Sequence, residues 1–344
     1  MATNRALTFL LVLTVLTNVL TGNAQAREKI ILDVDVGIDD AMAILFATAS
    51  PEVELVGVTT MFGNASIEDS TKNALYLLER CGLEVPVARG AAVPLVAVPI
   101  PPVDYVHGKN GLGNVPVPEP SKEMLSSLSA AEFILQQSRL FPGEITLVAV
   151  GRLTNIALAL RADPSLADRI KRVVLMGGAF ETHGTITPVA GANTFGDPHA
   201  ADIVYQANWE VTAIGTDVTR EVRLDEPDLT ELARKNPTAG RFVKEMTQFY
   251  LDFHRSTGVT DGFYIHDPSA LMYVVKPELY TTKNAAIRVA TQGLAAGQTM
   301  AAPYLRGPGD YWTANKFNTY ANSVDSEAAK RFLLERLAAV EFVK

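Results

Sequence analysis

Short apolar runs alternate with longer amphipathic segments along most of this chain. The apolar runs have the length and the β-branched content of buried strands, and they cover 29–36, 53–60, 145–150, 172–176 and 211–215. The segments with helical character cover 39–49, 70–81, 129–141, 154–161 and 325–340. This alternation predicts an α/β fold in which an open, mostly parallel, Rossmann-like central sheet is flanked by helices.

The N-terminal segment is set apart from this pattern. Arg5 precedes an apolar stretch over 6–20, and Ala24-Gln25-Ala26 forms a small-x-small cleavage site. The alternative is an uncleaved membrane anchor, but the stretch is shorter than the roughly 20 apolar residues that span a bilayer. We therefore predict a signal peptide over 1–26 and a single domain over 27–344, exported and free of the membrane after cleavage.

Composition and one long loop narrow the picture further. The chain has 344 residues with 30 Lys and Arg against 38 Asp and Glu, a net charge of −8 that argues against nucleic-acid binding. A single cysteine excludes an intramolecular disulfide. The proline-rich segment 93–120 is the one long loop, and loops of that length in a compact domain are often functional.

Four aspartates lie within the eight-residue segment DVDVGIDD, at the end of the first predicted strand. Asp33 and Asp35 point to the same face of that strand, and Asp39 and Asp40 open the following helix. Carboxylates that converge beyond a strand end repel one another unless a cation holds them. Their oxygen ligands suit a hard divalent ion, with Ca²⁺ preferred over Mg²⁺.

The four aspartates have two other interpretations. Asp39 and Asp40 would be expected at a helix N-terminus as capping residues alone, but capping leaves the pair on the preceding strand unexplained. A phosphatase of the haloacid dehalogenase type also has a DxD motif after its first strand. That family has its second acidic pair far downstream, whereas here the second pair follows at once.

Seven sequence blocks along the chain resemble the inosine–uridine-type nucleoside hydrolases, with the plant-like uridine-preferring branch closest. The blocks occur in family order and read DVDVGIDDAMAIL, GVTTMFGN, HGKNGLGN, LVAVGRLTNIALAL, VLMGGAF, GDPHAADIVY and DGFYIHDP. The resemblance implies the nucleoside hydrolase fold and hydrolysis of the N-glycosidic bond of ribonucleosides to free base and ribose, in nucleoside catabolism.

By this resemblance, Ca²⁺ would be held by Asp35, Asp40, Asp267 and the backbone carbonyl of Val150. Asp35 would also act as the catalytic general base toward a water on the calcium ion. The family usually supplies the carbonyl ligand from Thr, and because only backbone is used, Val does not disturb it.

The same resemblance assigns substrate contacts. Asp39, Asn64 and Asn193 would bind the ribose 2′- and 3′-hydroxyls, so ribose should be preferred over deoxyribose. His266 would be the catalytic acid that protonates the departing base, and His107 would contribute to the base pocket.

One block departs from the family. Thr185 and Gly191 replace an Asn and a Glu that grip the ribose 5′-hydroxyl. We expect an altered 5′ specificity. The alternative is a catalytically weak, exported protein that binds nucleosides or ribose.

The sequence also bears on the compartment, the oligomeric state and the base preference of the protein. The sequon Asn64-Ala65-Ser66 would place a glycan on a predicted ribose ligand, which favours the bacterial periplasm, with secretion as the alternative. The family implies a homo-oligomer, dimer or tetramer. The residues do not distinguish purine from pyrimidine nucleosides.

Overall fold

A computed structural model describes residues 26–304, 312 and 317–343 of the chain. Within those residues, nine strands form one sheet in the order β10-β9-β11-β6-β5-β4-β1-β2-β3, and β7 and β8 form a separate ribbon. The strands are β1 (Glu28–Val34), β2 (Val53–Thr60), β3 (Val87–Arg89), β4 (Ile145–Ala149), β5 (Ile170–Met176), β6 (Val211–Ile214), β7 (Arg223–Leu224), β8 (Phe263–Tyr264), β9 (Tyr280–Val289), β10 (Thr299–Ala302) and β11 (Phe317–Val324).

The pairing of the strands decides where their ends lie. In the nine-stranded sheet, strands β1 to β6 are parallel to their neighbours and β11 is parallel to β6. Strand β9 pairs antiparallel with both β11 and β10, and the separate β7–β8 ribbon is antiparallel. Asp33 near the end of β1 is level with Thr59 of β2 and Ala149 of β4. The loops after these strands therefore meet at one edge of the sheet, which is where open α/β sheets bind ligands.

Helices follow most of the parallel strands, as crossover connections require. They are α1 (Ile38–Thr48), α2 (Ile67–Arg80), α3 (Asp104–His107), α4 (Ala130–Leu140), α5 (Thr154–Ala162), α6 (Leu166–Arg169), α7 (Ala192–Gly196), α8 (Pro198–Gln206), α9 (Thr216–Thr219), α10 (Glu226–Lys235), α11 (Ala239–Ser256), α12 (Asp267–Val275) and α13 (Ser326–Ala338). Short 3₁₀ turns occur at Pro277–Leu279 and Gly293–Ala295.

Both faces of the sheet are buried, so its central strands are apolar throughout rather than alternating. On one face Leu32, Val148 and Val174 pack into the larger of two hydrophobic clusters. On the other face Ile31 and Leu147 pack into the second cluster. The sheet is thus a rigid platform between two helical layers.

The predicted α/β architecture is confirmed, including the five predicted strands and their mostly parallel order. The prediction missed β3, the β7–β8 ribbon and the three C-terminal strands β9 to β11, and the long loop contains the short helix α3. Helix α2 begins at Ile67 rather than residue 70, because the Ser66 hydroxyl accepts a hydrogen bond from the Asp69 backbone N–H and caps it.

The predicted signal peptide falls on residues 1–26, and all of it except Ala26 lies outside the described residues. Across the described segments, every helix is too short or too polar to cross a bilayer.

Candidate active site

The loop between β1 and α1 builds the carboxylate cluster, with Asp40 as its anchor. Asp40 Oδ1 accepts the Asp35 backbone N–H at 3.0 Å, and Asp40 Oδ2 accepts the Gly37 N–H at 2.9 Å. The Asn64 side-chain amide donates to the same Oδ2 at 2.9 Å. Asp40 therefore does cap α1, as the simpler interpretation held, while it also fixes the loop that carries its neighbours.

Three buried carboxylates converge beside this anchor. One oxygen each of Asp39, Asp40 and Asp267 lie within 4.8 Å of one another, and Asp267 is the first residue of α12. Asp39 Oδ1 and Asp267 Oδ2 are buried without a hydrogen-bond partner, and so is Oδ1 of nearby Asp35. Orphaned anionic oxygens facing one another match the donor set of a hard divalent cation.

The electrostatics agree with that interpretation. Burial, reinforced by Asp40, raises the pKa of Asp39 to about 8. Burial and the charges of Asp39 and Asp40 raise the pKa of Asp267 well above its ordinary value. Burial and Asp40 likewise raise the pKa of Asp35, although the Arg152 guanidinium opposes the shift. A bound cation would relieve this repulsion, so the residues present fit a metal ion.

The predicted metal ligands all lie at the edge of the sheet where the parallel strands end. The structure adds hydrogen-bond partners that the sequence did not indicate. Asp35 is enclosed and pairs with Arg152, whose NH1 lies 2.7 Å from Asp35 Oδ2. The carbonyl of Val150, directly after β4, accepts a hydrogen bond from the Asn193 side-chain amide. Asp39, which we predicted as a ribose ligand, joins the carboxylate cluster.

A cavity of about 450 Å³ opens over the cluster, a size that suits a nucleoside. Asp39 and Asp267 line it, whereas Asp35 and Asp40 lie beneath the surface of the cavity. The structure brings the predicted substrate-binding residues and the predicted acid together here, since the lining includes Asp39, Asn64, His107, Thr185, Asn193 and His266.

Both predicted histidines are buried in the cavity wall. His266 Nδ1 lies 2.7 Å from the Thr219 hydroxyl, and His107 Nδ1 accepts the Ile38 backbone N–H at 3.1 Å. Burial lowers the pKa of each imidazole to about 3, helped by neighbouring positive groups. Each ring is therefore neutral near pH 7, so His266 offers an N–H hydrogen bond rather than a stored imidazolium proton.

The departure from the family pattern leaves space in the cavity wall. A Cβ atom built on Gly191 would be 3.9 Å or more from every neighbouring atom outside its adjoining residues, the nearest being in Gly178. The Thr185 hydroxyl lies 4.0 Å from that point and accepts the Ala192 backbone N–H at 3.1 Å. The wall here has one hydroxyl and no carboxylate at these two positions.

A family model for inosine-uridine preferring nucleoside hydrolases matches residues 30–331. The chain belongs to this family. Uridine nucleosidase 1 of Arabidopsis thaliana is 42% identical over 315 residues, which span 90% of this chain and 93% of that relative. The inosine-uridine preferring nucleoside hydrolase of Leishmania major is 40% identical over 277 residues, spanning 79% and 87% of the two chains.

Solved nucleoside hydrolases have the same fold. A plant nucleoside hydrolase superposes with a TM-score of 0.85 at 36% identity, covering 91% of this chain and 99% of its own. A purine-preferring ribonucleoside hydrolase from Gardnerella vaginalis gives a TM-score of 0.84 at 33% identity, covering 91% and 98%. The predicted family, its plant-like branch and the fold are thus confirmed, and this nucleoside hydrolase is a hydrolase of N-glycosyl compounds.

Sequence reasoning missed two residues of this nucleoside hydrolase site. Tyr250 of α11 lines the cavity and stacks on His107 with ring centroids 5.5 Å apart. Arg152 pairs with Asp35 from the loop between β4 and α5. For Arg152 a signal was present, since it is the one charged residue in the block LVAVGRLTNIALAL.

Proposed function

We propose that this nucleoside hydrolase cleaves ribonucleosides with the help of Ca²⁺, using Asp35 as the general base. One observation above all supports this: Asp39 and Asp267, each with a buried carboxylate oxygen that has no hydrogen-bond partner, line a nucleoside-sized cavity. A neutral ligand alone would leave these charges uncompensated, whereas a divalent cation would balance them and leave room for a sugar.

Asp40 and Asp267 would hold the ion together with the Asp35 carboxylate and the Val150 carbonyl. Bound calcium would supply positive charge that lowers the pKa of a water molecule and helps to fix the ribose. An oxygen-only donor set, with no Cys or His among the clustered groups of the described residues, supports a hard divalent ion such as Ca²⁺.

Residues of the chain would accept the proton, bind the ribose and donate a hydrogen bond to the leaving base. Asp35 Oδ1, which has no hydrogen-bond partner, would accept the proton of the attacking water. Asp39 and Asn64 would hold the ribose hydroxyls, which fixes the sugar for attack at its anomeric carbon. His266, whose Nδ1 meets the Thr219 hydroxyl, would present its other nitrogen to the leaving base as a hydrogen-bond donor.

We also propose an altered specificity at the ribose 5′ position. The space beside Gly191 and the lone Thr185 hydroxyl would tolerate a substituent that a carboxylate there would exclude. Comparing kcat/KM for uridine, inosine and their 5′-substituted forms tests this. A substrate range that excludes every 5′-substituted riboside would contradict it.

The test of the main proposal is turnover of a riboside panel, with calcium and with a chelator. We expect release of free base that chelation abolishes and added Ca²⁺ restores. Activity that survives thorough chelation would refute the calcium mechanism. Nucleoside binding without release of base from any substrate would favour the weakly catalytic binding protein instead.

We propose export to the periplasm as the compartment, with the signal peptide removed after Ala26. Fractionation followed by N-terminal sequencing should find the protein outside the cytoplasm with Arg27 as its first residue. A cytoplasmic protein that retains residues 1–26 would contradict this proposal.

A further inference from the structure

A buried arginine lies against the carboxylate that we propose as the base. Arg152 NH1 donates to Asp35 Oδ2 at 2.7 Å and to the Phe62 carbonyl at 3.1 Å. The guanidinium carbon is 4.9 Å from the centroid of the Phe62 ring. The side chains of Arg152 and Asp35 are 2% and 0% exposed, which makes theirs the most deeply buried ion pair in the described part of the chain.

The surrounding backbone is shaped to admit this arginine. A Cβ on Gly63 would lie 1.6 Å from Arg152 NH1 and 1.7 Å from Asp35 Oδ2. A Cβ on Gly196 would lie 2.1 Å from Arg152 Nε. Glycine is therefore required both in the loop after β2 and at the end of α7 so that the guanidinium can reach Asp35, which indicates a built feature rather than a chance contact.

The ion pair leaves Asp35 with one engaged and one free oxygen. Oδ2 accepts from Arg152 and from the Asn64 backbone N–H at 2.9 Å, while Oδ1 is buried without a partner. Two donors on one oxygen fix the rotation of the carboxylate. The free oxygen is then held in one fixed orientation.

The charge of Arg152 also acts on any cation bound nearby. A buried guanidinium attracts the carboxylates but repels a divalent ion, and in a low-dielectric interior this repulsion is screened much less than in water. The arginine therefore favours the correct orientation of Asp35 and opposes tight binding of the metal.

We propose that Arg152 is a positioning residue that clamps Asp35 for base catalysis and weakens calcium binding in doing so. This rests on the proposed function. Two effects of opposite sign follow, and a purely structural role for Arg152 would not produce them. Removing its charge should tighten calcium binding while it lowers kcat.

The experiment compares Arg152→Met and Arg152→Lys with the wild-type enzyme. Calcium affinity is measured by calorimetry on chelator-treated protein, and kcat and KM are measured at saturating calcium. For Arg152→Met we expect about tenfold tighter calcium binding, because one repulsive charge is removed. We expect kcat to fall about 100-fold with KM changed less than about threefold.

Arg152→Lys keeps the charge but lacks the planar fork, so calcium affinity should stay near the wild-type value while kcat falls. Arg169→Met is the matched control, since Arg169 pairs with Asp163 at 2.9 Å and directly precedes β5, at the opposite edge of the sheet. It should leave both calcium affinity and kcat unchanged.

Calcium binding that is equal or weaker in folded Arg152→Met would overturn the inference. If the methionine variant does not fold, the lysine variant decides: lower kcat at unchanged calcium affinity supports the clamp, and unchanged kcat overturns it. Wild-type activity that does not depend on calcium would instead refute the proposed function. Failure of the proposed function is therefore distinguishable from failure of the inference about Arg152.

Discussion

Introducing a carboxylate at residue 191 should raise the activity of the enzyme on nucleosides that have a free 5′-hydroxyl. Gly191 has φ −77° and ψ 160°, an extended conformation that any residue adopts, so a side chain there introduces no backbone strain. A Cβ would meet only atoms 3.9 Å or farther away. The Gly191→Glu variant should therefore fold normally with its side chain directed into existing space.

The expected gain follows from one charged hydrogen bond. A carboxylate that accepts the ribose 5′-hydroxyl contributes roughly 1.5–3 kcal/mol, which corresponds to about a ten- to hundredfold rise in kcat/KM. Part of this gain will be offset by the negative charges of Asp39 and Asp267, which line the same cavity. We therefore expect the lower end of the range, about tenfold, for uridine.

The assay is steady-state hydrolysis of uridine and of 5′-deoxyuridine by the wild-type enzyme and three variants. Gly191→Glu should improve uridine alone, since 5′-deoxyuridine has no hydroxyl to bind. Gly191→Gln tests a neutral acceptor, and Gly191→Ala tests the effect of filling space without polarity. An equal change for both substrates, or no improvement for uridine, would refute the assignment of residue 191 to the 5′-hydroxyl.

Three further outcomes are expected. Asp267→Asn should weaken calcium binding at least about tenfold, as measured by calorimetry, since it removes one ligand charge. The same variant should have a higher Tm than the wild type when both are metal-free, because burial and the neighbouring carboxylates destabilise the Asp267 carboxylate. A lower metal-free Tm in thermal unfolding would contradict the argument that these carboxylates repel one another. Calcium at 100 times its Kd should stabilise the wild-type protein by about 2.7 kcal/mol in denaturant titrations, and this gain should disappear in Asp267→Asn. Hydrogen bonds from Ser165 and then Arg139 hold the pKa of Asp163 below its ordinary value. The ionised Asp163 therefore contributes fully to stability above about pH 4, and this contribution is lost as the pH falls through the folded-state pKa. Asp163→Asn should make the free energy of unfolding fall less steeply below about pH 4, and an unchanged slope would show that these hydrogen bonds contribute nothing.

The parts of the fold that the sequence predicts are those whose interactions are local. The strand, turn and helix around DVDVGIDD follow one another directly, so alternation and capping place all four aspartates at the correct edge of the sheet. Strand β9 is different, because residues 281–284 are polar and exposed, and its pairing with β11 depends on chain more than thirty residues away. No local pattern marks such a strand.

The candidate site divides in the same way. The family motifs identify Asp39, Asn64, His107 and His266, and the structure places all four around one cavity. The Arg152–Asp35 pair joins residues 117 positions apart, and its geometry depends on Gly63 in the loop after β2 and on Gly196 at the end of α7. The sequence alone shows one charged residue in the mostly apolar block 147–160, but it does not show the carboxylate partner that makes burial of this charge possible.

The aspartates of this site have different roles, and hydrogen bonding separates them. Both oxygens of Asp40 are occupied by donors, which makes it the anchor of the loop. Asp33 has one orphaned oxygen but does not line the cavity, and its other oxygen is held by Thr59 and Asn155. Only Asp39 and Asp267 combine an orphaned oxygen with a place on the cavity wall. An unpaired buried carboxylate destabilises the metal-free fold. A bound ligand that pairs with the free oxygens of Asp39 and Asp267 is therefore the physical reason for the presence of these two residues.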